Sequence, residues 1–206
     1  MATLQQPHFD EHTALIVVDV QNDFADPQGG LYVQDGQTII PGVNQMVAAA
    51  ANAGSLVVYT QDWHPPLTPH FQAYGGTWPV HCVQGTWGAA FHPDLEVVGP
   101  VVRKGSGAED GYSGFTARDV NTGSDRPTDL DSTLRDGGVE KVVVVGLAQD
   151  VCVKETALDA RRLGYDTCVV LSATRSVNLN EGDFEAANEQ MRRSGVTLLG
   201  DTEASG

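Results

Sequence analysis

Three residues of this chain have the types needed for nucleophilic catalysis: Asp19, Lys104 and Cys152. A cysteine nucleophile needs a base to take its proton and nearby positive charge to hold the thiolate. Asp19 can supply the base, and Lys104 can hold Asp19 ionised while stabilising the thiolate. No short motif joins the three, and a Lys–Asp ion pair beside an inert buried thiol accounts for the same residues. A second set, Asp62, His64, His70 and His81, has the composition of a metal site. Asp62 and His64 are two apart, so in an extended segment both side chains leave one face. One carboxylate with several imidazoles suits a borderline divalent ion such as zinc, iron or manganese. A loop with surface histidines is the competing reading, and His8, His12 and His92 are read that way. Cys82 adjoins His81 and is read as a packed thiol in preference to a soft ligand.

The elements that must position these residues follow from hydrophobic pattern. Thr13 to Val20 and Val142 to Val145 are unbroken apolar runs, the mark of strands buried on both faces of a parallel sheet. Strands are also predicted at 55–60, 101–104, 165–171 and 196–199, and helices at 41–52, 129–136, after Asp150, and at 183–193. Pro41 suits a first helical turn, and Gly54, Gly137-Gly138, Gly164 and Gly195 serve as stops. Thr128, with Asp131 three residues on, is a candidate cap for the 129–136 helix, and Asp150 for the helix that follows. Strand and helix alternate throughout, which predicts a single-domain α/β fold: an open parallel sheet of about six strands with helices on both faces. Residues 1–12 and 201–206 are expected to be peripheral tails.

In such a sheet, ligands bind outside the carboxyl ends of the strands, where strand order reverses. Asp19, Asp62 with His64, Lys104 and Cys152 each follow or end a successive strand, so all point to one edge. Cys152 falls in the first turn of a helix, where free N–H groups favour a thiolate; a packed thiol is the alternative. The segment 61–100 has little periodicity but holds four of the six histidines and all three tryptophans, as functional loops do.

The formal charge of −15, with only 12 Lys and Arg in 206 residues, excludes a phosphate-binding stripe and argues against nucleic acid. No apolar run is long enough to cross a bilayer and no secretory signal opens the chain, so neither a membrane nor export is expected. Three cysteines without framework spacing fit a reducing cytoplasm. Gly105-x-Gly107 lacks the context of a dinucleotide loop, and Walker, HExxH and EF-hand patterns are absent.

Taken in order, the motifs resemble the nicotinamidase/pyrazinamidase branch of the isochorismatase-like cysteine hydrolase superfamily. The resemblance is carried by Asp19-Val20-Gln21-Asn22-Asp23-Phe24 with Gly29-Gly30-Leu31, and by Asp62-Trp63-His64 with His70-Phe71. It continues through Trp78-Pro79-Val80-His81-Cys82, Lys104-Gly105, Tyr112-Ser113-Gly114-Phe115, and Gly146-Leu147-Ala148 with Asp150-Val151-Cys152. The resemblance implies a Rossmann-like three-layer fold and a catalytic triad of Asp19, Lys104 and Cys152. It implies one divalent metal on Asp62, His64, His70 and His81, and an oxyanion hole from the N–H groups of Ala148 and Cys152. A cis peptide is implied at Leu147–Ala148, with Phe24 and Trp78 sandwiching a pyridine ring and Tyr112 nearby. The implied reaction is hydrolysis of nicotinamide, and of pyrazinamide, in NAD salvage. A related amidase for another small amide, or a silent metal- or metabolite-binding member, remains as an alternative, and the sequence is compatible with a homo-oligomer.

Overall fold

A computed structural model of the chain describes residues 7–107, 109–119 and 124–200. The expected tails at 1–6 and 201–206 lie outside the described residues. Six parallel strands form the main sheet in the order β3-β2-β1-β7-β8-β9. They are β1 (Thr13–Val18), β2 (Leu56–Asp62), β3 (Val101–Lys104), β7 (Lys141–Leu147), β8 (Asp166–Arg175) and β9 (Thr197–Leu199). The helices are α1 (Asn22–Ala25), α2 (Ile40–Asn52), α3 (Leu130–Asp136), α4 (Lys154–Arg162) and α5 (Asp183–Arg193). None of the described helices is long and apolar enough to cross a membrane.

The period-2 geometry of a strand explains why β1 and β7 read as continuous apolar runs. Leu15 and Val17 of β1 join Val143, Val145 and Leu147 of β7 in one core, while Ala14, Ile16 and Val18 join Val142 and Val144 in the other. Helix α2 covers the first core with Val43, Val47 and Ala50. The second is covered by Leu130 and Leu134 of α3, Ala157 and Ala160 of α4, and Met191 of α5. Burying each such valine or leucine contributes about 1.5–3 kcal/mol, so the two central strands anchor a three-layer α/β/α stack. Strand order reverses between β1 and β7, which places the predicted crevice between their carboxyl ends.

Several local expectations are revised. A three-stranded antiparallel sheet, β4 (Glu109–Asp110), β5 (Thr116–Asp119) and β6 (Asp125–Pro127), follows β3; its short polar strands carry no apolar period. The helix after β7 does not begin at an Asp150 cap. Gln149–Val153 forms a wider π turn, with the Val153 N–H donating to Ala148 O at 3.0 Å, and α4 starts only at Lys154. Asp150 instead accepts the backbone N–H groups of Val177 and Asn178 at 2.9 and 2.8 Å. Thr128 Oγ1 accepts the Leu130 N–H at 3.2 Å, but Asp131 closes no capping box: it pairs with Arg135 and accepts the Tyr165 hydroxyl. Strand β8 runs to Arg175, past the expected end at 171. Phe9 packs against the first core, and His12 O accepts Glu140 N–H at 2.8 Å, so residues 7–12 are held to the body.

Candidate active site

Strand geometry delivers the predicted residues to one edge. Asp62 and Lys104 are the last residues of β2 and β3 and are register partners. Asp19 directly follows β1, and Cys152 lies in the π turn after β7. All four are buried, with exposures of 0% for Asp19, 5% for Asp62, 1% for Lys104 and 7% for Cys152. The close approach of β7 to β1 depends on Gly146. Its φ is 114°, and a Cβ there would fall 2.1 Å from the Val18 carbonyl oxygen. The next peptide, Leu147–Ala148, is cis.

The Lys104 ammonium is the hub of the cluster. It lies 2.8 Å from Asp19 Oδ2 and 3.6 Å from Cys152 Sγ, and it bonds Asp62 Oδ1. The other oxygen of Asp19 accepts the Thr60 hydroxyl at 2.7 Å. A carboxylate oxygen of Asp19 and one of Asp62 lie within 4.8 Å of Cys152 Sγ and of each other. The ionisation states differ from the simple expectation. Burial pushes the Cys152 thiol well above its ordinary value; Lys104 pulls it down, and the Asp19 and Asp62 carboxylates push it up again. Desolvation outweighs the single ammonium, so the sulfur holds its proton more tightly than a free cysteine does. Burial likewise raises Asp19 despite Lys104, which strengthens it as a base. Asp62 goes the opposite way: burial is overcome chiefly by the Lys104 ammonium, and the carboxyl is held below the usual range. Lys104 is raised well above its usual value, since its two carboxylates outweigh burial.

Asp62 also faces the imidazoles. Its Oδ2 is 3.6 Å from His64 Nε2 and 3.9 Å from His81 Nε2. One ring nitrogen each of His64, His70 and His81 lies within 4.8 Å of the others, and all three residues are buried. His81 Nδ1 sits 2.8 Å from Pro79 O, an acceptor only, so Nδ1 carries the hydrogen and Nε2 presents its lone pair toward Asp62. Burial lowers His81 to about 4, which keeps the ring neutral and ready to ligate. His64 is 1% exposed, and neither ring nitrogen makes a hydrogen bond. A buried imidazole whose ring nitrogens make no hydrogen bond is costly, and a cation shared with Asp62, His70 and His81 would supply what it lacks. The donor set of three imidazoles and one carboxylate fits a borderline divalent ion.

His92 is not superficial as expected: it is 9% exposed, with Nε2 4.0 Å from Asp26 and Nδ1 accepting the Asp94 N–H, apart from the other three histidines. Cys82 is packed in the first core, and burial raises its thiol well above the ordinary value.

A narrow pocket joins the two clusters. Its lining includes Phe24, Trp78, Tyr112, Ala148 and Cys152, all predicted, with Asp62, His70 and His81 on the metal side. The Trp78 indole N–H donates to the Tyr112 hydroxyl at 3.0 Å, which fixes the ring plane of Trp78. Leu31, Val151 and Val177 complete the lining and were not anticipated as site residues. Val177 follows a strand whose carboxyl end faces the same edge, the one signal that could have found it. Gln21 was also missed. Fully buried, it donates to Asp62 O at 2.7 Å and accepts the Asp62 N–H at 2.8 Å, clamping that residue's backbone.

A family model described as the isochorismatase domain matches residues 13–203. A nicotinamidase/pyrazinamidase from Mycobacterium tuberculosis is 42% identical over 193 residues, covering 90% of this chain and 97% of that protein. The structure of a pyrazinamidase of Pyrococcus horikoshii in complex with zinc superposes with a TM-score of 0.81 at 38% identity, covering 91% of this chain and 98% of the other. PnC1 from L. infantum in complex with nicotinate gives 0.83 at 35% identity, covering 93% and 94%.

Proposed function

The chain belongs to the isochorismatase-domain family, and we propose that it hydrolyses nicotinamide, and pyrazinamide as a close analogue, to the free acid and ammonia. The observation that carries this reading is Lys104, buried between Asp19, Asp62 and Cys152 and so joining a nucleophile to a metal-competent cluster across one pocket. Phe24 and Trp78 flank the pyridine ring, with Tyr112 holding Trp78. Asp62, His64, His70 and His81 hold one divalent ion of the zinc, iron or manganese class. When bound, that ion would supply a Lewis acid at the ring end of the pocket.

Asp19, raised by burial, accepts the proton of Cys152 Sγ. The sulfur electron pair forms a bond to the carboxamide carbon, and the carbonyl π pair moves onto oxygen. Backbone N–H groups of Ala148 and Cys152 receive that oxyanion, where one donor is worth about 10²–10³ in rate. The tetrahedral centre collapses, the C–N bond breaks, and Asp19 returns its proton to the departing ammonia. A water molecule then adds to the thioester with Asp19 again as base, and expulsion of sulfur with the proton returns the thiol and frees the acid. Lys104 remains protonated throughout and balances the charge that passes between Asp19 and Cys152. We place the reaction in the cytoplasm, where the three buried cysteines stay reduced.

The test is ammonia release from nicotinamide by wild type and by Cys152→Ala, with metal content measured in both. Wild type should release ammonia, and Cys152→Ala should lose turnover but keep its metal. Near-wild-type release by Cys152→Ala would overturn the scheme. Chelation should abolish wild-type activity without unfolding the chain, and added zinc should restore it; undiminished activity after chelation would reduce the histidine cluster to a structural role.

A further inference from the structure

Asp23 belongs neither to the triad nor to the four metal-competent side chains, yet the loop that carries His81 is built around it. It sits in α1, with its carboxylate accepting two backbone N–H groups: Cys82 at 2.6 Å through Oδ2 and Gly30 at 2.8 Å through Oδ1. Its own N–H donates to Gly88 O at 3.0 Å, and a Cβ on Gly88 would fall 2.0 Å from Asp23 Oδ2, so loop 81–88 wraps the carboxylate closely. Cys82, the residue after His81, has φ 46°, a left-handed conformation that a side chain other than glycine adopts only when its surroundings enforce it. The Cys82 carbonyl in turn accepts the His64 N–H at 2.9 Å, and the His64 carbonyl accepts the Gln84 N–H at 2.9 Å.

We propose that Asp23 is the positioning residue of the metal site: through the Cys82 peptide it holds the turn that aims His81 and fixes His81 relative to His64. The carboxylate is a charge-assisted acceptor and so a stronger restraint than a neutral one. Its action reaches the imidazoles through backbone only, in the manner of the outer-shell partners that orient metal ligands elsewhere. The assignment rests on the metal reading given above and adds the residue that preorganises that site before any ion arrives.

Asp23→Asn keeps the shape but turns an amide NH₂ toward one of the two N–H groups, so one bond is lost. The zinc dissociation constant, measured on the metal-stripped full chain against a chromophoric chelator, should rise about 10–100-fold. Asp26→Asn is the control, because Asp26 accepts the Gln28 N–H at 2.8 Å at the end of the same short helix. Its zinc affinity should stay within about threefold of wild type. Zinc affinity of Asp23→Asn within that same margin, or an equal loss in Asp26→Asn, would overturn the assignment. A second measurement needs no variant and stands even if Asp23→Asn fails to fold. In metal-free wild type the Cys82 amide should remain protected from hydrogen exchange, since Asp23 and not the ion holds the turn; free exchange on metal removal would overturn the assignment. Failure of wild type to bind zinc would instead overturn the metal reading beneath it, so the two failures are distinguishable.

Discussion

Replacing Lys104 with Met keeps the aliphatic stem and removes the one cation that Asp19, Asp62 and Cys152 share. In the wild-type chain Lys104 is 1% exposed, with its ammonium 2.8 Å from Asp19 Oδ2 and bonded to Asp62 Oδ1. Its loss leaves two buried carboxylates facing each other with no counter-charge. Breaking a buried ion pair by removing one partner costs about 3–5 kcal/mol. At about 2–4 °C per kcal/mol for a chain of this size, Lys104→Met should melt roughly 6–20 °C below wild type. The assay is thermal and urea unfolding of metal-stripped protein near neutral pH, so that an ion cannot stand in for the ammonium. Adding Asp19→Asn to Lys104→Met neutralises one of the stranded carboxylates and should restore part of the loss, with a coupling of about 1 kcal/mol or more. A Lys104→Met chain melting within about 2 °C of wild type would refute the reasoning. So would an Asp19→Asn change that simply adds its own loss, because the cost would then lie in packing and not in charge.

Gly146→Ala should be among the most damaging small substitutions, since φ is 114° and the new Cβ would sit 2.1 Å from the Val18 carbonyl in the middle of the sheet. A loss of at least about 3 kcal/mol is expected, read as a fall in the urea midpoint; an unchanged midpoint would mean that β1 and β7 separate easily. Burial pushes Cys168 up to about 11, so only about one in a thousand is thiolate at pH 8. Iodoacetamide at pH 8 should leave Cys168 unmodified in native protein and label it in guanidinium, as mass spectrometry would show; rapid native labelling contradicts the burial. Because the fold excludes the Cys168 thiolate, this contribution is intact at neutral pH and fades as pH climbs from about 9 toward 11.

The parts legible in the sequence are those where one strong signal governs. The Val142–Val145 run and the Thr13–Val18 run specify strands buried on both faces, and their ends locate Asp19 and Cys152 because a parallel sheet has one ligand edge. Asp62 with His64, and Lys104, follow from the same logic. What escaped depends on backbone contacts or on balances between large opposing effects. The π turn at Gln149–Val153 has the same composition as a first helical turn, so periodicity could not separate them. The Cys152 thiol is set by desolvation against Lys104, Asp19 and Asp62, and no spacing reveals which prevails. Gln21 and Asp23 act by hydrogen bonds to distant peptides, at Asp62 and at Cys82 and Gly30, and sequence shows them only as polar residues after a strand. Strands β4 to β6 are too short and polar to announce themselves.

The order of strands in the sheet differs from their order along the chain, and this has a consequence for how the protein comes into being. Strands β1, β2 and β3 pair side by side from the first half of the chain, bringing Asp19, Asp62 and Lys104 together with the histidine loop. The nucleophile belongs to the second half, and reaches them only when β7 docks along β1 from Thr13–Lys141 to Val18–Gly146. That pairing closes a very long loop, the kind of contact that slows folding, and during synthesis the N-terminal portion is complete well before its partner emerges. Activity therefore requires that pairing, and its appearance during refolding reports that the two halves have met.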